Sequence, residues 1–227
     1  MRRTRTSVSS GVLVTALLLV AHPARAADRV VVGDFSSAVV AGGVPAGWEL
    51  NEKSGKADLA VVEDGEVSAA RLRSANTSFS IQKGVKVDLE QFPMLTWKWK
   101  VTQLPVGGDF RESATDDQAA QLFVAFSKSQ AIVYVWSSTV PKGTLASTSP
   151  APFMTVKVVV VESGPAKTGR WVSEIRNVHR DYKKLFRSEP PPVYALRLQI
   201  NSQHTESSAE CYFADVAFEK AGKQGAR

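Results

Sequence analysis

Cysteine is almost absent: Cys211 stands alone in 227 residues. No intrachain disulfide can form, so the fold is not a stapled mini-domain and must be held by its core. The stretch Cys211-Tyr212-Phe213-Ala214 is apolar, which predicts a buried, inert thiol. Histidine is nearly as scarce, with three in the chain, and neither His179 nor His204 has a second histidine at ligand spacing. Zinc therefore has no recognisable donor set. Gly-x-Ser-x-Gly, a glycine-rich phosphate loop and a Cys/His pair are all missing, which removes the common nucleophile and nucleotide-binding signatures. No apolar run reaches the roughly 20 residues of a spanning helix. What remains is a globular composition, 44% hydrophobic and 22% charged with 15 Gly and 11 Pro, neither collagenous nor disordered.

The N-terminus carries Arg2, Arg3 and Arg5, then the apolar run from Val12 to Ala21, then Ala24-Arg25-Ala26. That order is a secretory signal peptide with cleavage after Ala26, and it predicts a periplasmic or extracellular protein with no transmembrane segment after cleavage. No lipid-attachment cysteine follows the apolar run. The charge argument changes with it. The chain has 28 basic and 22 acidic residues, but four of the arginines lie in residues 1–26, so +6 falls to +2. A nucleic-acid partner loses its main support, a clustered basic surface. The rest divides into a single β-sandwich domain, 27–220, and a flexible tail, 221–227. No Pro/Ser-rich linker or internal repeat interrupts it, and oligomeric state has no signature in the sequence.

Alternation with period two recurs throughout. Leu95, Trp97, Trp99 and Val101 alternate with Thr96, Lys98, Lys100 and Thr102, and Tyr194, Leu196, Leu198 and Ile200 with Arg197 and Gln199; such runs are half-buried strands. The runs 131–136 and 156–161 are apolar on both faces, Lys157 apart, as in central strands. Asp64-Gly65 between two β-rich runs is a hairpin signal. Further strands are predicted at 78–82, 85–89, 122–126 and 211–218, ten or eleven in all. The expected fold class is all-β: an antiparallel two-sheet jelly-roll-like sandwich. One short helix is predicted after Asn177, where Val178, Tyr182, Leu185 and Phe186 share a face and Asn177 can cap. The stretches 105–117 and 137–152 read as loops, long enough to be functional or mobile.

The run Phe92-Pro93-Met94-Leu95-Thr96-Trp97-Lys98-Trp99-Lys100-Val101, with Leu104-Pro105, Asp109, Asp116-Asp117 and Ala119-Ala120, resembles the bacterial exported family called domain of unknown function 3047. So do Tyr134-Val135-Trp136, Ser163-Gly164, Trp171, Glu174-Ile175-Arg176-Asn177-Val178, Asp181-Tyr182, Phe186 and the closing Ala214-Asp215-Val216. The resemblance covers residues 33–219. It implies a jelly-roll sandwich similar to the galactose-binding-like type, and no assigned function. Two departures stand out. Where the family tends to carry Asp-x-Asp-Asn-Thr, this chain reads Asn201-Ser202-Gln203-His204-Thr205, two carboxylates fewer. The usual glycine after Phe186 is Arg187.

Three groups of residues could carry chemistry. Asp109, Glu112, Asp116 and Asp117 surround Arg111: four carboxylates in nine residues could hold Ca²⁺, which wants six to eight oxygens, or could simply pair with Arg111 and Arg176. Trp171, Glu174, Arg176, Asn177, His179 and Asp181 could form an arginine–carboxylate network pinning strand to helix. Among Trp97, Trp99, Tyr134, Trp136 and Trp171, the Trp97/Trp99 pair reads as core, whereas Trp136 ends its strand beside a long loop and is the best candidate for exposure. The resulting expectation is a non-catalytic ligand- or glycan-binding sandwich in which Asp109, Arg111, Asp116, Asp117, Trp136, Glu174 and Arg176 form one rim. A polysaccharide-active hydrolase or lyase using Asp117 and Glu174 as acid and base is the alternative; a structural envelope protein presenting an edge strand is a third. No cofactor is expected, Ca²⁺ being the one the acidic loop could take.

Overall fold

The computed structural model describes residues 28–36, 43–149 and 151–222. The export signal expected at 1–26 and the tail residues 223–227 lie outside the described residues. Thirteen strands and one α-helix follow one another among the described residues: β1 (Arg29–Gly33), β2 (Glu49–Ser54), β3 (Asp58–Asp64), β4 (Val67–Ala75), β5 (Ser78–Val87), β6 (Met94–Gln103), β7 (Ala120–Ala125), β8 (Gln130–Ser137), β9 (Leu145–Thr148), β10 (Thr155–Ser163), β11 (Val172–Asn177), α1 (Val178–Phe186), β12 (Val193–Asn201) and β13 (Ser208–Glu219). They form a two-sheet, jelly-roll-like sandwich. The six-stranded sheet runs β11-β6-β13-β4-β3, with β1 on the C-terminal part of β13; the seven-stranded sheet runs β2-β5-β12-β7-β8-β10-β9. No described helix is long and apolar enough to cross a membrane.

The core lies where the alternation puts it. Leu95, Trp97, Trp99 and Val101 from one sheet face Leu122, Val124, Ile132, Tyr134, Trp136, Leu196, Leu198 and Ile200 from the other. Trp97 stacks on Tyr134 with centroids 5.4 Å apart, and Trp99 meets Trp136 edge-on at 5.8 Å. Each such buried side chain contributes roughly 1.5–3 kcal/mol. Cys211 is fully buried among them, and burial pushes its thiol well above the usual range.

A second, smaller cluster explains why the β8 and β10 sequences are apolar on both faces. Ala131, Val133, Val135, Val156, Val158 and Val160 point away from the main core and are covered by Phe110 and Val140 from the two long loops. One pairing departs from the antiparallel expectation: β8 and β10 are parallel. Parallel neighbours need a crossover of a dozen or more residues, and the connection 138–154 supplies it. Within that connection Leu145–Thr148, expected as loop, pairs antiparallel with β10 and makes a four-residue edge. The other edges, β2, β3 and β11, are short and carry Glu49, Glu52, Lys53, Asp58, Glu63, Asp64, Glu174 and Arg176. Charged, short edges resist pairing with another chain, which speaks against an edge-presenting scaffold.

Local signals set α1. The Asn177 side chain accepts from the Arg180 amide at 2.9 Å, an N-cap, and Arg187 closes the helix at φ 58°. That left-handed position favours glycine, the residue the family resemblance expects there. Tyr182 and Phe186 stack at 4.5 Å and seat the helix on Phe126.

Candidate ligand-binding site

The seven-stranded sheet has an outer face, turned away from the core. Because side chains alternate along a strand, Leu122 and Val124 point inward while Gln121 and Phe123 point outward. On β12, Leu196, Leu198 and Ile200 point inward while Arg197, Gln199 and Asn201 point outward. Register places Gln199 beside Gln121 and Ser80, and Arg197 beside Phe123 and Gln82. The loop 105–118 folds over one end of this face and leaves a recess of about 110 Å³. Its floor is Phe123, Val133, Val135, Val156 and Val158; its walls carry Gln118, Gln121, Gln199, Asn201, Lys53, Asp116 and His204, with Phe110 and Thr148 closing the sides.

The loop is held by close fit. Asp109 N donates to Thr115 O at 2.7 Å, and Ser138 and Thr139 hydroxyls donate to the carbonyls of Pro105 and Gly108. A Cβ on Gly108 would lie 2.3 Å from the Asp117 carbonyl oxygen, so only glycine permits the loop to pass there.

Asp117 anchors the wall rather than lining the recess. It is fully buried. Its carboxylate accepts from Asn201 Nδ2 at 2.9 Å, Thr205 N at 2.7 Å and Thr205 Oγ1 at 2.8 Å. Asn201 Oδ1 in turn accepts from Gln118 N and Gln121 Nε2. The segment 201–205, expected from the resemblance to depart from the family pattern, is the segment that wraps Asp117. An aspartate at position 201 could not donate to Asp117 and would set two carboxylates against each other. Asp116 lines the recess, its Oδ1 accepting from Gln118 Nε2.

The seven residues expected as one rim do not converge. Asp109 and Arg111 pair with each other, Nε and Nη2 on the two carboxylate oxygens, and this partner holds the Asp109 carboxyl below the usual range despite partial burial. No group of three or more His, Cys, Asp or Glu among the described residues is placed to hold a metal ion, so the four carboxylates do not assemble a Ca²⁺ site. Trp136, expected to be the exposed aromatic, is completely buried, its Nε1 donating to Gly164 O at 3.1 Å. It faces the core because it follows the inward phase of β8, which the adjacent loop does not alter.

Glu174 and Arg176 lie on β11, on the inner face of the other sheet, with the whole seven-stranded sheet between them and the recess. Arg176 makes a bidentate pair with Asp181 at 3.0 and 2.7 Å, and Tyr134 Oη donates to the same carboxylate at 2.8 Å. This is the network that pins strand to helix. Trp171 donates to Asp64, which also holds Lys100. His179 stands 3.7 Å from Glu189.

Asp117 and Glu174 thus do not face each other across a cleft, which removes the acid–base pair of the hydrolase reading. The carboxylate that acts on Glu174 is instead Glu162, by repulsion, and no sequence pattern identifies it. A bulge between Val160 and Glu162 sets Glu162 opposite inward-facing Trp136; bulges re-aim side chains in this way. Burial works against the Glu162 carboxylate, but Lys142 at 2.6 Å and Lys167 at 2.7 Å outweigh it and bring it below the usual range. Glu174 has no such partner. Burial first and then the Glu162 charge push it up, and its Oε1 has no hydrogen-bond partner. Glu162 is only 6% open to solvent at its side chain and is already engaged by both lysines, so the pair offers no room for a substrate.

Sequence reasoning therefore found Asp116 and missed Lys53, Gln118, Gln121, Gln199, Asn201 and His204. The signal was available in part. The outward set on the two central strands is rich in carboxamides, visible once the inward phase is set by Leu122, Leu198 and Ile200.

A family model described as "Protein of unknown function (DUF3047)" matches residues 46–217. None of the curated proteins matches the sequence. Among solved structures, similarity extends to the xyloglucanase domain of NopAA, an effector of Sinorhizobium fredii determined with cellobiose (9% identity, TM-score 0.49, 77% of this chain and 94% of that one). It extends also to the family 11 carbohydrate-binding module of the cellulase Lic26A-Cel5E of Clostridium thermocellum (7%, 0.46, 88% and 99%). A third is the endoglucanase cel12A of Rhodothermus marinus (12%, 0.46, 85% and 99%). Any function has to come from the chemistry of the recess itself.

Proposed function

Since the chain belongs to the DUF3047 family of proteins of unknown function, we propose from the recess alone that it is a non-catalytic binding sandwich for a polyhydroxylated ligand, a glycan. One observation carries this reading: the Gln199 carboxamide and the Lys53 ammonium stand over an apolar floor on the outer sheet face, and neither side chain makes a hydrogen bond or ion pair among the described residues. A sugar presents both kinds of surface. Its hydroxyls donate and accept, as carboxamides do, and its C–H faces lie on apolar side chains. A few placed polar groups in a mostly apolar recess is the usual make-up of a small-ligand site. Export through the N-terminal signal, with cleavage after Ala26, belongs to the same reading, because envelope and extracellular glycans are met only outside the cytoplasm.

The test is a thermal shift of the purified protein against a panel of envelope and plant-wall oligosaccharides. A ligand at a hundred times its Kd adds about 2.7 kcal/mol to the native state, so melting rises with one glycan class. Gln199→Ala should abolish that rise. It should leave the ligand-free protein within about 0.5 kcal/mol of wild type, as expected of a surface substitution. A panel with no shift at millimolar concentration, or a shift indifferent to Gln199→Ala, overturns the assignment.

A further inference from the structure

Beside the recess lies an arginine that the fold leaves alone. Arg71, Arg176 and Arg197 are the most buried of the described arginines. Arg71 pairs with Asp58 at 2.8 Å and Arg176 with Asp181 at 2.7 Å. The Arg197 side chain has no ion pair and no hydrogen bond among the described residues, and its Nε is buried without a partner. Its one contact of note is the Phe123 ring, 4.5 Å from the guanidinium carbon. Phe123 is the floor of the recess, and Gln199, one outward step along β12, is its wall. Burial pulls the Arg197 guanidinium below its usual range, and no carboxylate counters it; only Tyr194 acts the other way.

A half-buried cation without an anion is costly, because the charge loses water and gains nothing in exchange. Stacking on an aromatic ring returns part of that cost and leaves the planar edge of the fork free. That edge is shaped for two carboxylate oxygens. The recess has its own ionisable lining of Lys53, Asp116 and His204, all toward the Asn201 end. From Asn201 to Arg197 is four residues, roughly 13 Å of strand. The recess therefore offers the Gln199 carboxamide and Lys53 to hydroxyls, and the face beside it offers a guanidinium.

We propose that Arg197 is the anion-reading residue of this face and that the ligand is an acidic oligosaccharide, a uronate whose carboxylate is taken by the Arg197 fork beside Phe123. This rests on the reading of the recess as a glycan site and narrows it to a substrate class. The amide-lined recess beside the arginine favours an acidic sugar over an acidic peptide.

The experiment is calorimetric titration of the full chain with trigalacturonate, a mannuronate trisaccharide and fully methyl-esterified trigalacturonate, which keeps the rings and removes the charge. Triglutamate and a neutral glucan trisaccharide serve as further probes. A uronate is expected to bind about ten- to a hundred-fold tighter than the ester, the range for a charged hydrogen-bond pair. That gap should close in Arg197→Gln and be partly kept in Arg197→Lys, with the melting temperature of each variant confirming that it folds. Equal binding of uronate, ester and neutral sugar, unchanged in Arg197→Gln, overturns the anion assignment and leaves the glycan recess standing. Triglutamate binding as tightly as the uronate overturns the sugar half of the proposal. No binding by any saccharide overturns both the proposal and the glycan reading beneath it.

Discussion

Two regions of this molecule hold charged, amide and aromatic side chains in comparable numbers: the inter-sheet seam around Glu174 and Arg176, and the outer face around Gln199 and Arg197. They differ in how much of that polarity is already answered. In the seam, Arg176, Asp181 and Tyr134 satisfy one another, and Lys142 and Lys167 hold Glu162. Glu174 Oε1 and the indole nitrogens of Trp97 and Trp99 are left over, and burial drives Glu174 toward its neutral form. On the outer face, the side chains of Arg197, Gln199 and Lys53 have no hydrogen bond or ion pair among the described residues, and Arg197 has only the Phe123 ring. Density of chemistry-bearing residues points to the seam; unanswered polarity points to the face. A buried network that closes on itself holds a fold together, whereas a site for a ligand must keep bonds to offer.

The sharpest way to break this contrast is Asp117→Ala. If Asp117 belongs to the wall, as its three accepted hydrogen bonds require, its removal strands Asn201 and Thr205 donors and costs about 3 kcal/mol. Urea denaturation that shows wild-type stability would return Asp117 to the list of ligand residues. Smaller is Arg187→Gly at the end of α1. A non-glycine residue in the left-handed region costs roughly 1–2 kcal/mol, so the glycine variant should melt higher. An unchanged or lower midpoint would mean that Arg187 makes compensating contacts in solution.

The seam's third signature shows as a pH dependence. Glu174 has a folded-state affinity for protons above that of the unfolded chain, so the native state binds the extra proton. Stability from this group is full below the ordinary glutamate value of 4.5 and is lost as pH rises through the folded pKa. Glu162 and Asp109 are shifted down, so their contribution is present above the unfolded carboxylate range and is lost as pH falls through their folded values. Glu174→Gln should therefore gain on wild type as pH is raised from 4 to 8. A constant difference across that series would show that Glu174 is as well solvated folded as unfolded. Gln199→Ala, the smallest change in stability, completes the contrast because its effect belongs to ligand binding alone.

Much of the fold was legible. The period-two runs located the core strands, and Asn177 with Val178, Tyr182 and Phe186 located the helix. The misses have physical causes. Glu49–Ser54 is exposed along its whole length, so it carries no alternation to read; it is a strand because β5 offers it hydrogen bonds. Residues 78–87, expected as two strands around Lys83-Gly84, form one because Gly84 stays extended opposite Ala195. Of the expected rim, only Asp116 lines the recess. Proximity in the chain suggested that Asp109, Asp116 and Asp117 act together, yet neighbouring positions turned to a salt bridge, a recess and a buried anchor.

The sequence by itself determined the strands, the buried face of most of them, the helix with its cap and the inert cysteine. Each of these is a local consequence of side-chain spacing, backbone preference or hydrophobicity. Only the tertiary structure decided that the outer face of one sheet is partly covered by a loop. It alone decided that a bulge turns Glu162 inward, that Asn201 supplies donors to Asp117, and that Arg197 is left on Phe123 without an anion. These depend on which strands become neighbours and which hydrogen bonds remain unmade after they do, and neither quantity is carried by any one stretch of chain.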